Sequence, residues 1–141
     1  MKHLLQIAFL LFSSPFFSQT NSKVIKQIST ADSVVFIAKS SGCFNAGTTT
    51  YKFVKQKNKE HKVIYSVEKL QVVKKISAKN YEAFLKRFEV SAERFKDPDE
   101  KKSCTTISDF ELKDKKQLVK FTNGTCQPEF NPEEFLLQLL K

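Results

Sequence analysis

The chain has 141 residues, and its 24 Lys and Arg residues outnumber its 15 Asp and Glu residues, giving a formal charge of +9 at pH 7. This length corresponds to one domain of ordinary size. Nucleic acid is not expected as a partner, because Arg87 and Arg94 are the only arginines and no recognised nucleic-acid module is present. The sequence also lacks a phosphate-binding glycine loop, a zinc-ligand spacing, a serine elbow and a catalytic triad, so no catalytic residue, metal ion or cofactor is predicted.

Residues 1–19 have the layout of a secretory signal peptide. Lys2 and His3 form a short basic start, residues 4–12 are almost entirely apolar, and Ser13-Ser14-Pro15 follows. The alternative is a retained membrane anchor, but spanning a bilayer takes about 20 apolar residues, roughly twice the length of this run. We therefore predict cleavage near Gln19 and a protein that does not span a membrane afterwards. It would then work in the periplasm or outside the cell, in the envelope of a Gram-negative bacterium.

Strands dominate the first half of the remaining chain. Residues 20–32 are polar without clear periodicity, which indicates a lead-in to a single domain over residues 33–141. The apolar run Ser33–Lys39 predicts a strand buried on both faces, and the loop Ser40–Gly47, "SSGCFNAG", follows it. Two further strands are predicted over residues 48–55 and 61–68 around the charged turn "KQKNKE", and residues 70–76 form a fourth strand or continue the third.

A long amphipathic helix is the clearest predicted element. Ser77 is a plausible N-cap, and Pro98 requires the helix to end near Lys96. The apolar residues that recur at three- and four-residue steps are Tyr81, Phe84, Leu85, Phe88, Ala92 and Phe95.

A hairpin and a short helix complete the chain. Residues 104–112 and 118–122 predict two strands around "KDKKQ". Asn131 followed by Pro132 predicts the start of a C-terminal helix. This order indicates an α+β domain with a mostly antiparallel sheet of four to six strands. The long amphipathic helix packs on one face of that sheet, and the short helix ends the domain.

Three cysteines remain after signal cleavage, so at most two can pair within one chain. If residues 114–117 form the hairpin loop, Leu112 faces Val119, and Cys104 and Cys126 lie at neighbouring rungs on opposite faces. A three-residue loop would place the two cysteines opposite each other but set Phe110 against Lys120. Local sequence brings only this pair near the distance of about 7 Å between Cα atoms that a disulfide needs.

We favour a disulfide between Cys104 and Cys126, and the alternative joins Cys43 to either of them. On the favoured pairing Cys43 is a free thiol. A catalytic thiol needs a base nearby, and His61, the only histidine after the leader, is interpreted as an exposed strand-end residue.

The positive charge is concentrated in the middle of the chain, where residues 52–96 carry thirteen Lys or Arg residues against five Glu residues. An anionic partner is one interpretation: an acidic protein, an acidic polysaccharide or a lipid surface. The other interpretation is a solvated surface in which lysines protect an edge strand. The lysines that cluster around one turn and form the predicted contact surface are Lys52, Lys55, Lys57, Lys59 and Lys62.

The leader ending Phe17-Ser18-Gln19, the "SSGCFNAG" loop, the helix and the cysteine hairpin together resemble small exported bacterial proteins of unknown function. The resemblance covers most of the chain and implies a single extracytoplasmic domain, without a known activity or site residues. We therefore expect a non-enzymatic exported binding domain, inhibitor-like in type, with a basic face. The alternatives are a small thiol-dependent enzyme or redox protein that uses Cys43, and a structural component of the envelope.

Overall fold

Six strands and three α-helices make up the part of the chain that the computed structural model describes, namely residues 20–42, 46–67, 69–96 and 105–141. These strands form one antiparallel sheet, which confirms the predicted α+β class. Within the same ranges no helix is long and apolar enough to cross a membrane. In chain order the elements are α1 (Asn21–Ser29), β1 (Ser33–Gly42), β2 (Gly47–Lys55), β3 (His61–Val67), β4 (Leu70–Ile76), α2 (Ala78–Arg94), β5 (Thr106–Lys113), β6 (Leu118–Asn123), a 3₁₀ helix (Pro128–Phe130) and α3 (Pro132–Leu139).

The sheet order is β4-β3-β2-β1-β5-β6, and α2 packs across one face of it. Ser77 caps this helix as predicted, because its hydroxyl oxygen accepts a hydrogen bond from the backbone N–H of Asn80 at 3.2 Å. The helix ends at Arg94, close to the predicted end at Lys96. All residues of the predicted apolar stripe are buried: Tyr81, Phe84, Leu85, Phe88, Ala92 and Phe95.

Aromatic rings connect the sheet to α2. Phe36 of β1 is fully buried, and its ring centroid lies 5.1 Å from that of Phe84 and 6.0 Å from that of Phe88, both in edge-to-face contact. On the neighbouring strands, Phe53 and Phe110 also face the helices and are buried. Edge-to-face aromatic pairs add to the free energy of burying the rings, so this cluster forms the centre of the core.

The opposite face of the sheet, which we call the outer face, is open, because none of the outward-facing residues on the described strands is buried. The prediction that β1 is buried on both faces is therefore wrong, since Val35 and Ile37 are only partly buried. Lys52 and Lys113 lie directly opposite Val35 in the two neighbouring strands. The methylene stems of lysines shield apolar neighbours while the charged ends stay in water, so a continuous apolar run is tolerated on this face.

The segment predicted as a polar lead-in contains helix α1, so this prediction is wrong for residues 21–29. Ile25 and Ile28 are buried in the same core as the sheet, and α1 contacts α2 and β6. Two isoleucines three residues apart form only a narrow stripe on a nine-residue helix. Packing against α2 stabilises it, which a local pattern does not reveal.

The structure decides between the alternatives that the sequence left open for β4 and for the β5–β6 hairpin. Residues 70–76 form a separate strand paired with β3, not a continuation of it. In the hairpin, Leu112 faces Val119 and Phe110 faces Phe121, which confirms the register based on a loop over residues 114–117. Asp114 stabilises this loop, because its carboxylate accepts backbone hydrogen bonds from Lys116 and Gln117, each at 2.7 Å.

The structure confirms the predicted start of helix α3 and shortens the predicted loop after β1. Asn131 caps α3 by accepting hydrogen bonds from the backbone N–H groups of Glu133 and Glu134, at 3.0 and 3.2 Å. The predicted loop Ser40–Gly47 is shorter, because β1 continues to Gly42 and β2 begins at Gly47. Cys43 lies in this loop but outside the described residues.

Candidate functional site

The five predicted contact lysines lie on two different surfaces. Lys52 and Lys62 point to the outer face, whereas Lys55 and Lys59 line a groove on the side of the helices. Lys57 is exposed in the turn between β2 and β3. Successive strand residues point to opposite faces, so the strand separates Lys52 from Lys55. The predicted single cluster is therefore divided between an outer patch and a groove.

The outer patch covers β2, β3 and β4. Lys62 and Lys75 lie directly opposite each other in the β3–β4 ladder, and like charges in this position destabilise a sheet. Within the described part of the chain, Lys52, Lys62 and Lys75 form no ion pair. We define the outer patch as these three lysines and the partly buried or exposed aliphatic residues between them, Val54, Ile64 and Val73.

The other half of the outer face has acidic residues that offset its lysines. Glu111 lies 2.9 Å from the Lys39 ammonium and 4.0 Å from that of Lys113. The hydrogen bond from Lys39 holds the pKa of the Glu111 carboxyl below its ordinary value, and the charges of Lys39, Lys113 and Lys120 act in the same direction. Among the described residues of the outer face, positive charge without a nearby acidic group is therefore concentrated in the outer patch.

The groove lies between α1, α2 and the turn that joins β2 to β3, and its volume is about 500 Å³. This volume is within the range of small-molecule sites. Ile25 of α1 and Leu85 of α2 provide its apolar walls. Lys55, Lys59 and His61 contribute polar groups from the turn.

His61 is buried, so the prediction of an exposed strand-end residue is wrong. It begins β3 on the core face of the sheet, and its ring stacks on Tyr81 with 3.8 Å between centroids. Burial lowers the pKa of His61 below its ordinary value, and the nearby charge of Lys55 makes a smaller contribution in the same direction. The ring is therefore neutral at pH 7. Its Nδ1 atom is buried and has no hydrogen-bond partner in the described part of the chain.

Tyr81, like His61, lines the groove and carries a buried polar group. Its hydroxyl makes no hydrogen bond to the described residues. Burial raises the pKa of the phenol well above its ordinary value, so it stays protonated and can donate. The helical periodicity predicted Tyr81 as a core residue, but periodicity cannot show whether a buried hydroxyl finds a partner.

The charged groups at the rim of the groove are only partly neutralised. Lys86 lies 3.0 Å from Glu89. A hydrogen bond from Ser22, and to a smaller extent one from Lys86, holds the pKa of Glu89 below its ordinary value.

Lys59 adopts a left-handed backbone conformation with φ of 65°, which is uncommon for residues other than glycine, asparagine and aspartate. The turn therefore holds Lys59 at the rim in a conformation that carries some backbone strain.

The predicted cysteine pairing stays a prediction. Cys126 follows β6 at the surface and is disulfide-bonded. The two other cysteines, Cys104 and the candidate free thiol Cys43, both lie outside the described residues. Among the residues that the structure does describe, no group of three or more His, Cys, Asp and Glu side chains is placed to hold a metal ion.

Comparison with known proteins adds no family assignment: no protein-family model matches this chain, and no curated protein matches it. The outer patch and the groove are therefore the two candidate sites on the described part of the chain.

Proposed function

We propose that this protein is an exported, non-enzymatic binding domain whose outer patch contacts an acidic partner protein. The observation that carries the proposal is the directly opposed pair Lys62 and Lys75 on an open sheet face, neither of which forms an ion pair with a described residue. Two like charges at this position weaken the isolated sheet, and a partner carboxylate between them would relieve the repulsion. Charge complementarity of this kind also speeds association and excludes partners of the wrong charge.

The apolar part of the outer patch favours a protein over the other anionic partners. Val54, Ile64 and Val73 lie between the lysines, and a partner that also contacts these aliphatic side chains would need apolar groups beside its anionic groups, which an acidic polysaccharide supplies poorly. A lipid surface is usually entered by protruding aromatic or leucine side chains, and the outer patch has short β-branched residues instead. A protein surface can supply both carboxylates and apolar atoms.

The outer face of the sheet is also large enough for a protein–protein interface. Six strands about 4.8 Å apart and on average about eight residues long, at about 3.3 Å per residue, present a face of roughly 630 Å² in projection. A standard interface takes about 800 Å² of accessible surface from each partner. Since accessible area exceeds projected area on a surface of protruding side chains, the outer face can hold one partner.

The location of the protein is part of the proposal. Residues 1–19 would direct the chain out of the cytoplasm, where oxidising conditions permit disulfides. A disulfide between Cys104 and Cys126 would then join the chain before β5 to the chain after β6. Mass spectrometry of the native protein, with and without reduction, tests the cleavage near Gln19 and this pairing together.

The contact surface is tested by charge reversal. The variant Lys62→Glu/Lys75→Glu reverses the opposed pair, and the control Lys115→Glu/Lys116→Glu makes the same charge change in the exposed β5–β6 loop. Each protein is used to recover partners from the native envelope, and the recovered acidic protein is purified and titrated against all three. We expect at least tenfold weaker binding for the outer-patch variant only. Equal affinity of the two variants would rule out this surface.

A further inference from the structure

The groove has the features of a small-molecule site, separate from the outer patch. Its volume of about 500 Å³ is sufficient for a compact organic ligand. The exposed fractions of His61 and Tyr81 are only 7% and 3%, and both residues line this groove. Each has a buried polar atom without a partner in the described part of the chain.

Two polar groups without a described hydrogen-bond partner in one place need a physical reason, because a polar group that is buried without a hydrogen bond destabilises the folded state. Nearly all buried polar groups in proteins are paired. The stacking of His61 on Tyr81 places both groups in the same part of the groove. A ligand that hydrogen bonds to either ring would recover part of this free energy.

The charge around these rings indicates which ligand fits. Lys55 lies directly opposite His61 in the β2–β3 ladder, and Lys59 is two residues before His61 in the same turn. Two lysines and two potential hydrogen-bond donors therefore meet at one end of the groove. Water could satisfy the two buried atoms, but it would not neutralise the lysines.

The two helices give the remainder of the groove both apolar and polar surface. Ile25 and Leu85 face it from α1 and α2. Lys86 and Glu89 lie farther along α2 and are paired with each other at 3.0 Å. The groove is therefore basic at the turn, and between the helices the apolar surface of Ile25 and Leu85 lies among polar groups that include Lys26 and the carboxylate of Glu82.

We propose that this groove binds a small organic oxyanion with an apolar body, namely a carboxylate or a phosphate ester. Its charged end lies near Lys55 and Lys59, where it accepts hydrogen bonds from His61 and Tyr81. Its apolar body lies against Ile25 and Leu85. This ligand is independent of the acidic partner proposed for the outer patch.

Titration with simple probes tests the site in the full exported chain. Octanoate, octyl phosphate and the neutral octanol are added separately to ¹⁵N-labelled protein, and amide shifts are followed by NMR. We expect octanoate, octyl phosphate or both to give saturable shifts at Lys59, His61 and Leu85, and octanol to bind at least tenfold more weakly. The anion that binds more tightly identifies the head group.

Variants show whether the lysines act as proposed. Lys55→Ala/Lys59→Asn removes both charges, and asparagine tolerates the left-handed conformation at position 59. Its affinity for the preferred anion should fall about tenfold or more, because the attraction between the two positive charges and the anion is lost. The matched control Lys57→Ala, from the same turn but outside the groove, should bind as the wild type does.

Several results would overturn the proposal: no saturable shift with either anion at millimolar concentration, equal affinity for octanol, or unchanged affinity of Lys55→Ala/Lys59→Asn. The outer-patch variant Lys62→Glu/Lys75→Glu should bind the anion normally. A failure of the groove proposal is thus distinguished from a failure of the proposed acidic-protein contact.

Discussion

Replacing Ile28 with alanine tests whether α1 belongs to the folded domain. The Ile28 side chain is completely buried, and the substitution removes three carbon atoms. At about 0.8 kcal/mol for each, the loss of burial is roughly 2.4 kcal/mol. The cavity left behind brings the expected loss of unfolding free energy to about 3 kcal/mol. This is a large fraction of the 5–15 kcal/mol typical of a domain.

Urea denaturation followed by far-ultraviolet circular dichroism measures this loss, since the chain has no tryptophan to report on unfolding. The urea concentration at the midpoint of unfolding should fall. The slope of the unfolding free energy against urea concentration should stay constant, because unfolding exposes nearly the same surface in both proteins. The control Lys23→Ala changes an exposed residue of the same helix and should shift the free energy by less than about 0.5 kcal/mol. Equal midpoints for the two variants would refute the packing of α1 and restore the lead-in interpretation.

Three further predictions concern single residues. The pKa of His61 is lowered in the folded state, so below pH 6.5, the ordinary pKa of histidine, the unfolded chain binds more protons than the folded chain. The unfolding free energy should therefore fall as the pH drops from 6.5 towards 5. In urea denaturation at several pH values, His61→Gln should reduce this dependence. The lowered pKa values of Glu89 and Glu111 act only below their ordinary value of 4.5, so they do not contribute in this window. Tyr81→Phe should raise the unfolding free energy by about 1 kcal/mol, because it removes a buried hydroxyl that has no partner among the described residues. A decrease of similar size would show that the hydroxyl is paired. Cys43→Ser should leave the phenotype of the source organism unchanged, and loss of function with normal folding would instead support the thiol-dependent enzyme.

The sequence predicted the elements whose signals are local. The stripe of α2, its cap at Ser77 and the cap of α3 at Asn131 each depend on residues within a few positions of one another, and the structure confirms them. The β5–β6 register was also predictable, because only one loop length pairs Phe110 with Phe121. Short-range periodicity and capping specify these features almost completely.

The features that the sequence did not predict depend on contacts between distant segments. Helix α1 is polar apart from a narrow stripe, and it is stable because α2 lies beside it. His61 is buried because Tyr81, twenty positions away, stacks on it. One signal was nevertheless available for the lysines: strand alternation places Lys52 and Lys55 on opposite faces, which already divides the apparent cluster.

The central claim is that the outer patch contacts an acidic protein, and the most direct measurement is the affinity of the purified partner at several salt concentrations. For the wild type the affinity should fall as salt rises, because the opposed lysines attract the partner through charge. The variant Lys62→Glu/Lys75→Glu should bind at least tenfold more weakly and lose most of this salt dependence, while Lys115→Glu/Lys116→Glu keeps both. Binding by the outer-patch variant with the wild-type affinity and salt dependence would contradict the claim.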